Sequence, residues 1–136
     1  MIIIKIEKIK ETWANQNIKL SPPATEESIK ATEEMINFPF PDDFKEFYLQ
    51  LDGFLDWDWT RNMFSIWPLA RIQEEYHNQT DKNFIVFADY LINSIQMGFM
   101  KGKKGVFKNY DETPEWIADT FSEALFLIDS DADILY

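Results

Sequence analysis

The run from Ala24 to Gly53, ATEESIKATEEMINFPFPDDFKEFYLQLDG, constrains the chain more than any other, because it spells out the ends of two helices as well as their buried faces. Thr25 is a good N-cap, since its hydroxyl can accept from an orphan backbone N–H, and Glu26 and Glu27 sit where the helix dipole favours negative charge. Ile29 and Ile36 lie two turns apart on one face, with Ala31 and Met35 beside them. Asn37 tolerates the left-handed conformation that closes many helices, and Pro39 cannot continue one. Pro41 then opens a second helix with Asp42 and Asp43 in its first turn. Phe44, Phe47, Tyr48 and Leu51 follow the i, i+3, i+4, i+7 spacing of a buried stripe, and Asp52-Gly53 is a stop.

Around this pair the remaining elements read more coarsely. Ile2, Ile6, Ile9 and Trp13 share one face and predict a helix over residues 2 to 14, although Ile2-Ile3-Ile4 would also suit a strand. Asn15-Gln16-Asn17 ends it, and Ser21-Pro22-Pro23 is a stiff approach to the helix pair. Phe54 to Arg61 mixes rings with carboxylates and has no long periodicity. Phe64 to Leu69 predicts a short strand stopped by Pro68, Leu69 to Tyr76 one or two helical turns, and His77 to Asn83 a surface loop. Phe84 to Ala88 predicts a central strand covered on both faces. Ile95, Met97 and Phe99 alternate with polar or small residues, as in a half-buried strand. Lys101 to Gly105 is a hairpin turn, Val106 to Tyr110 the returning strand, and Asp111 to Pro114 a loop. Thr120 to Glu123 is a capping box, with Glu123 reaching back, ahead of a helix that buries Phe121, Ala124, Leu125 and Ile128. At 136 residues, with no linker or repeat, residues 1–136 read as a single domain.

Ala24-Thr25, Ile29, Glu33, Phe40-Pro41, Phe44, Phe47, Leu49 and Asp52-Gly53 stand where the SUKH superfamily carries Ala-Thr, a helix with an inward-placed Glu, Leu-Pro, and a Tyr-x-x-Phe-Leu helix ending in Asn-Gly. The stretch resembles that superfamily, whose name-giving members include the fungal Smi/Knr cell-wall synthesis regulators. Thr32 and Phe40 replace Leu, and Asp52 replaces Asn. The similarity continues through Ile66-Trp67-Pro68-Leu69, Phe87-Ala88-Asp89, the hairpin, and Ile117 to Leu125, and so spans about residues 20 to 130. It implies an α+β fold, with a mostly antiparallel sheet of about four to six strands and helices packed against it.

Charge and chemistry narrow the function. Against 13 Lys and Arg stand 24 Asp and Glu, a net of −11, which disfavours nucleic acid and anionic membranes and favours a basic protein partner. The absence of cysteine removes disulfides, thiolate catalysis and Cys-based zinc sites. No run reaches the roughly 20 apolar residues of a membrane span, and Met1 to Lys5 does not make a signal-peptide core, so the expectation is a soluble cytoplasmic protein. Asp129-Ser130-Asp131-Ala132-Asp133 has calcium-loop spacing but Ile134 where the loop needs Gly, and reads as an acidic solvated tail. His77 is the sole histidine and lies in a polar run without a nucleophile or a second metal-ligating His. The expectation is therefore no enzyme, no metal and no cofactor.

Trp67 beside Pro68 reads as core. The candidate partner-binding residues are Asp56, Trp57, Asp58 and Trp59, where carboxylates alternate with rings, extended by Trp116 with Glu115. Glu33 and Asp89 join them with a structural alternative: in a SUKH-like fold Glu33 would hydrogen-bond near the helix–sheet junction, and Asp89 sits at a strand end. The resemblance implies a bacterial immunity protein that occludes a cognate polymorphic toxin, a nuclease by the argument from acidity. The alternative is a regulatory or scaffold domain like the fungal members, which carry flanking disordered segments not seen in this sequence.

Overall fold

The computed structural model describes residues 6–109, 113–130 and 132–135. Helix α1 (Ile6–Asn15) buries Ile9 and Trp13 as their spacing requires, while Ile2, expected on the same face, lies outside the described residues. Trp13 meets Phe47 and Phe54 edge-on at centroid distances of 6.0 and 4.9 Å, which pins the N-terminal helix to the organising pair.

That pair is α2 (Glu26–Ile36) and α3 (Asp42–Tyr48). Thr25 caps α2 by accepting from Ser28 N–H, and Ser28 reaches back to the Thr25 N–H, so a closed capping box forms here. Asn37 closes the helix at φ 53°. The buried stripe is Ile29, Thr32 and Ile36; Ala31 and Met35 face out, because positions 29, 32 and 36 complete the inner face and leave 31 and 35 turned from it. The buried Thr32 hydroxyl donates to Ser28 C=O and accepts from Gln73 Nε2 at 2.7 Å, so the polar residue where Leu is usual has its own partner.

After α3 the chain turns at Gly53, whose φ is +66° and where a Cβ would sit 2.5 Å from Pro68 N. Only glycine lets the backbone pass that closely. Strand β1 (Phe64–Ile66) leads into α4 (Leu69–Asn78), a full ten residues that take in His77 in the exposed last turn, beyond the end its sequence suggested. Strands β2 (Phe84–Tyr90), β3 (Ile95–Met100), β4 (Val106–Asn109) and β5 (Glu115–Ala118) complete a five-stranded antiparallel meander in the order β1-β2-β3-β4-β5. Phe84 to Ala88 is buried throughout, but its strand is second in the sheet and β3 is the middle one. Tyr110 of the returning strand and Asp111 lie outside the described residues. Strand β5 carries too short an apolar run to be legible in isolation.

Helix α5 (Phe121–Asp129) packs on α3 and β5. Thr120 accepts from Glu123 N–H, and Asp43 of α3 accepts from Ser122 N–H at 2.8 Å, so the second cap on this helix comes from a distant element as well as from its own first turn. The core is a lattice of rings: Phe44 lies within 4.0 to 6.3 Å of Phe40, Tyr48, Phe87, Phe99 and Phe121. Burying one such ring stabilises by about 1.5–3 kcal/mol, with roughly 0.5–1.5 kcal/mol more per well-oriented pair. Asp129, Ser130 and Asp133 of the acidic C-terminal run are exposed, while beyond it Leu135 is buried and Lys108 Nζ donates to Ile134 C=O at 2.7 Å; Asp131 lies outside the described residues. Among the described residues no helix is long and apolar enough to cross a membrane.

Candidate functional site

Two turns meet beside the start of β1. The β2–β3 hairpin turns through Leu91, Ile92 and Asn93, all left-handed, at φ 49°, 50° and 66°. Asparagine tolerates this region, but Leu and the β-branched Ile each pay about 1–2 kcal/mol. The turn before β1 contains Met63, also left-handed at φ 69°, and Leu91 N–H donates to Met63 C=O at 3.0 Å, which couples the two turns.

Asp89 is the brace. It is 3% exposed; Oδ1 accepts from Trp67 Nε1 at 2.8 Å, Oδ2 accepts from Asn93 N–H at 2.7 Å, and Arg71 approaches Oδ2 to 3.7 Å. Arg71 also lies over the Trp67 ring at 4.1 Å. Burial pulls the Arg71 pKa down from its ordinary value, and Asp89 and Glu75 oppose that shift. The carboxylate of one strand end thus fixes a buried indole, a buried guanidinium and the strained turn together.

Between the two turns lies a cleft of about 180 Å³, lined by Trp59, Met63, Ser65, Arg71, Asp89, Leu91 and Ile92. Its rim is apolar and exposed: Ile92 is 74% exposed and Trp59 49%, with Met63 and Leu91 close behind. Singly exposed apolar residues are ordinary; four around one concavity make this cleft the candidate docking surface.

The sequence-predicted residues divide. Asp58, Trp59 and Asp89 come together here. Asp58 spends its carboxylate inward, accepting from Lys19 N–H at 2.8 Å and Trp59 N–H at 2.9 Å, and its C=O accepts from Ser65 Oγ at 2.6 Å, so it positions Trp59. Asp56 is exposed, left-handed at φ 54°, and 3.5 Å from Lys19 Nζ. The backbone of Trp57 ends a short 3-10 turn (Leu55–Trp57), and its side chain lies outside the described residues. Glu33 sits at the α2–α3 corner, where Oε2 accepts from Phe40 N–H at 2.7 Å and lies 3.6 Å from Lys45 Nζ. Trp116, half exposed, is on β5, and Glu115 beside it lies 4.0 Å from Lys108; β5 is the opposite edge of the sheet from β1, so they do not extend the cleft.

Sequence reasoning missed Met63, Ser65, Arg71, Leu91 and Ile92. One signal was present: Leu91-Ile92 occupies a hairpin turn, where Gly, Asn, Asp and Ser dominate for conformational reasons.

The charge lies elsewhere. Residues 24 to 53 hold Glu26, Glu27, Glu33, Glu34, Asp42, Asp43, Glu46 and Asp52 against Lys30 and Lys45, more than half of the net −11. Within this segment Asp52 accepts from Leu69 N–H at 2.8 Å at the head of α4. Burial raises its pKa, and the Leu69 bond opposes the rise. Tyr48, whose hydroxyl donates to Trp67 C=O at 2.6 Å, has its pKa pushed well above the usual range by burial and by Asp52.

Ser65 Oγ gives its proton to a carbonyl, not to a base. Among the described residues no group of three or more acidic or histidine side chains could hold a metal ion.

The SMI1 / KNR4 family (SUKH-1) model matches residues 23–126, from just before α2 to within α5, and so takes in both the acidic corner and the cleft. The chain belongs to that family. Among curated proteins none is similar enough in sequence to count as a relative.

Proposed function

We propose that this member of the SMI1/KNR4 family is a non-catalytic immunity protein that binds a basic toxin domain and occludes its working face. The observation that carries the reading is an exposed apolar cleft with a braced, left-handed rim on a chain of net charge −11. Apolar anchors supply affinity in interfaces, and a strong opposite field speeds encounter and selects against acidic partners. In this reading the α2–α3 corner steers and the cleft holds, and the nuclease character proposed for the toxin follows from the basic clefts that such enzymes offer to phosphates.

Co-expression with basic nuclease toxin domains from polymorphic toxin systems, the cognate one included, followed by purification, tests it. The expected result is restored growth and a stoichiometric complex whose association slows as salt is raised. A chain that neither binds nor protects overturns the immunity reading and favours a regulatory scaffold like the fungal cell-wall synthesis regulators.

A further inference from the structure

The cleft also specifies what it takes from a partner. Its volume of about 180 Å³ admits one side chain, not a helix. Its polar floor is already engaged: Asp89 accepts from Trp67 and Asn93 and faces Arg71, and Ser65 donates to Asp58 C=O. A polar guest meets groups that the chain itself already pairs or, like Arg71, stacks on Trp67 and faces to Asp89, and so gains less there than it loses on desolvation. An apolar guest meets Trp59, Met63, Leu91 and Ile92, and the strain held at Leu91 and Ile92 means this wall is shaped before the guest arrives. The partner that carries the guest approaches a chain of net charge −11, more than half of it on the α2–α3 corner, and that field favours cationic residues around the guest.

We infer that the cleft receives a single large apolar side chain flanked by lysine or arginine on the partner protein, gripped between Trp59 and Ile92. This rests on the immunity reading for the partner's identity, but the side-chain chemistry is testable without it.

The test is a titration of the ¹⁵N-labelled full chain with blocked tripeptides, followed at the Trp59 indole N–H and the Leu91 to Asn93 amides. Ac-Lys-Leu-Lys-NH2 is expected to shift these resonances saturably. Ac-Lys-Ser-Lys-NH2 should bind at least about tenfold more weakly, and Ac-Glu-Leu-Glu-NH2 at least about fivefold more weakly at low salt. Ile92→Asp, at a side chain mostly in solvent, should leave the rest of the spectrum unchanged and weaken the leucine peptide about tenfold or more, whereas Trp116→Ala should leave binding intact. No saturable shift at these resonances, equal responses to the leucine and serine peptides, or a response confined to α2 and α3 overturns the inference. A failed titration beside successful growth rescue discards the cleft and keeps immunity. A successful titration beside failed rescue keeps the cleft's chemistry and discards the toxin as its partner.

Discussion

The α2–α3 corner and the Trp59–Ile92 cleft are built by opposite means. At the corner each local preference agrees with the fold: Thr25 and Ser28 close a capping box, Asn37 takes the left-handed C-cap, and Pro41 heads α3. Glu33 then ties the corner by accepting from Phe40 N–H only seven residues on. At the cleft local preference is overridden: Leu91, Ile92 and Met63 sit where side chains cost energy, held by Asp89 and by the Leu91–Met63 bond between turns far apart in sequence. The corner minimises local conflict, whereas the cleft stores it, and stored strain is characteristic of surfaces shaped for a ligand.

The sharpest way to break the contrast is to remove the brace. Asp89→Ala strips Trp67 Nε1 and Asn93 N–H of their acceptor and takes the carboxylate from the buried Arg71. The expected loss is about 3–5 kcal/mol by denaturant unfolding. A loss below about 1 kcal/mol would mean that the hairpin holds its shape unaided. Glu33→Ala probes the corner, where the carboxylate of a half-buried residue serves one backbone donor and one lysine; the expected loss is about 1–2 kcal/mol. If it equalled the Asp89 variant, the corner would not be the locally determined region.

Ile92→Asn should act in the other direction. Asparagine tolerates φ near 50°, so thermal and chemical unfolding should show a gain of about 0.5–1 kcal/mol, while affinity for the leucine peptide falls. Stability and binding moving together would contradict strain held for recognition.

The smallest effect is expected at Asp52→Asn. The folded carboxyl titrates higher than the unfolded one, so its contribution favours the fold at acid pH and is lost as pH rises through the folded value. Asparagine keeps an acceptor for Leu69 N–H without the partly buried charge. The variant should therefore equal the parent below the carboxylate range and gain at most about 0.5 kcal/mol at neutral pH, since the group is half in solvent. A gain that grew on acidification would reverse the sign and reject the account.

The candidate site was harder to read than the fold. Asp58 and Trp59 stood out as an acid–ring alternation, yet Asp58 turns its carboxylate to Lys19 and Trp59 backbone N–H groups instead of solvent. Asp89 was visible as a strand-end carboxylate, but its acceptance from Trp67 depends on two segments 22 residues apart meeting at one depth. Trp116 could be joined to Trp59 only by chemical likeness; strand order sends it to the other edge of the sheet.

What the chain determined by itself is whatever depends on neighbours within a turn or two: the caps at Thr25 and Thr120, the left-handed Asn37, the start of α3 at Pro41, the ring stripe of Phe44, Phe47 and Tyr48, and the family membership that their order carries. What only the tertiary structure decided is whatever depends on burial and long-range pairing: the inward Thr32 matched by Gln73, the short strand β5, and the cleft. The physical reason is that dihedral preferences and helical periodicity act through adjacent atoms. Strain at Leu91 and Ile92 is held because buried Asp89, tied to Trp67 and to Arg71 of α4, accepts from Asn93 N–H, and Met63 C=O accepts from Leu91 N–H, contacts that overrule those preferences together.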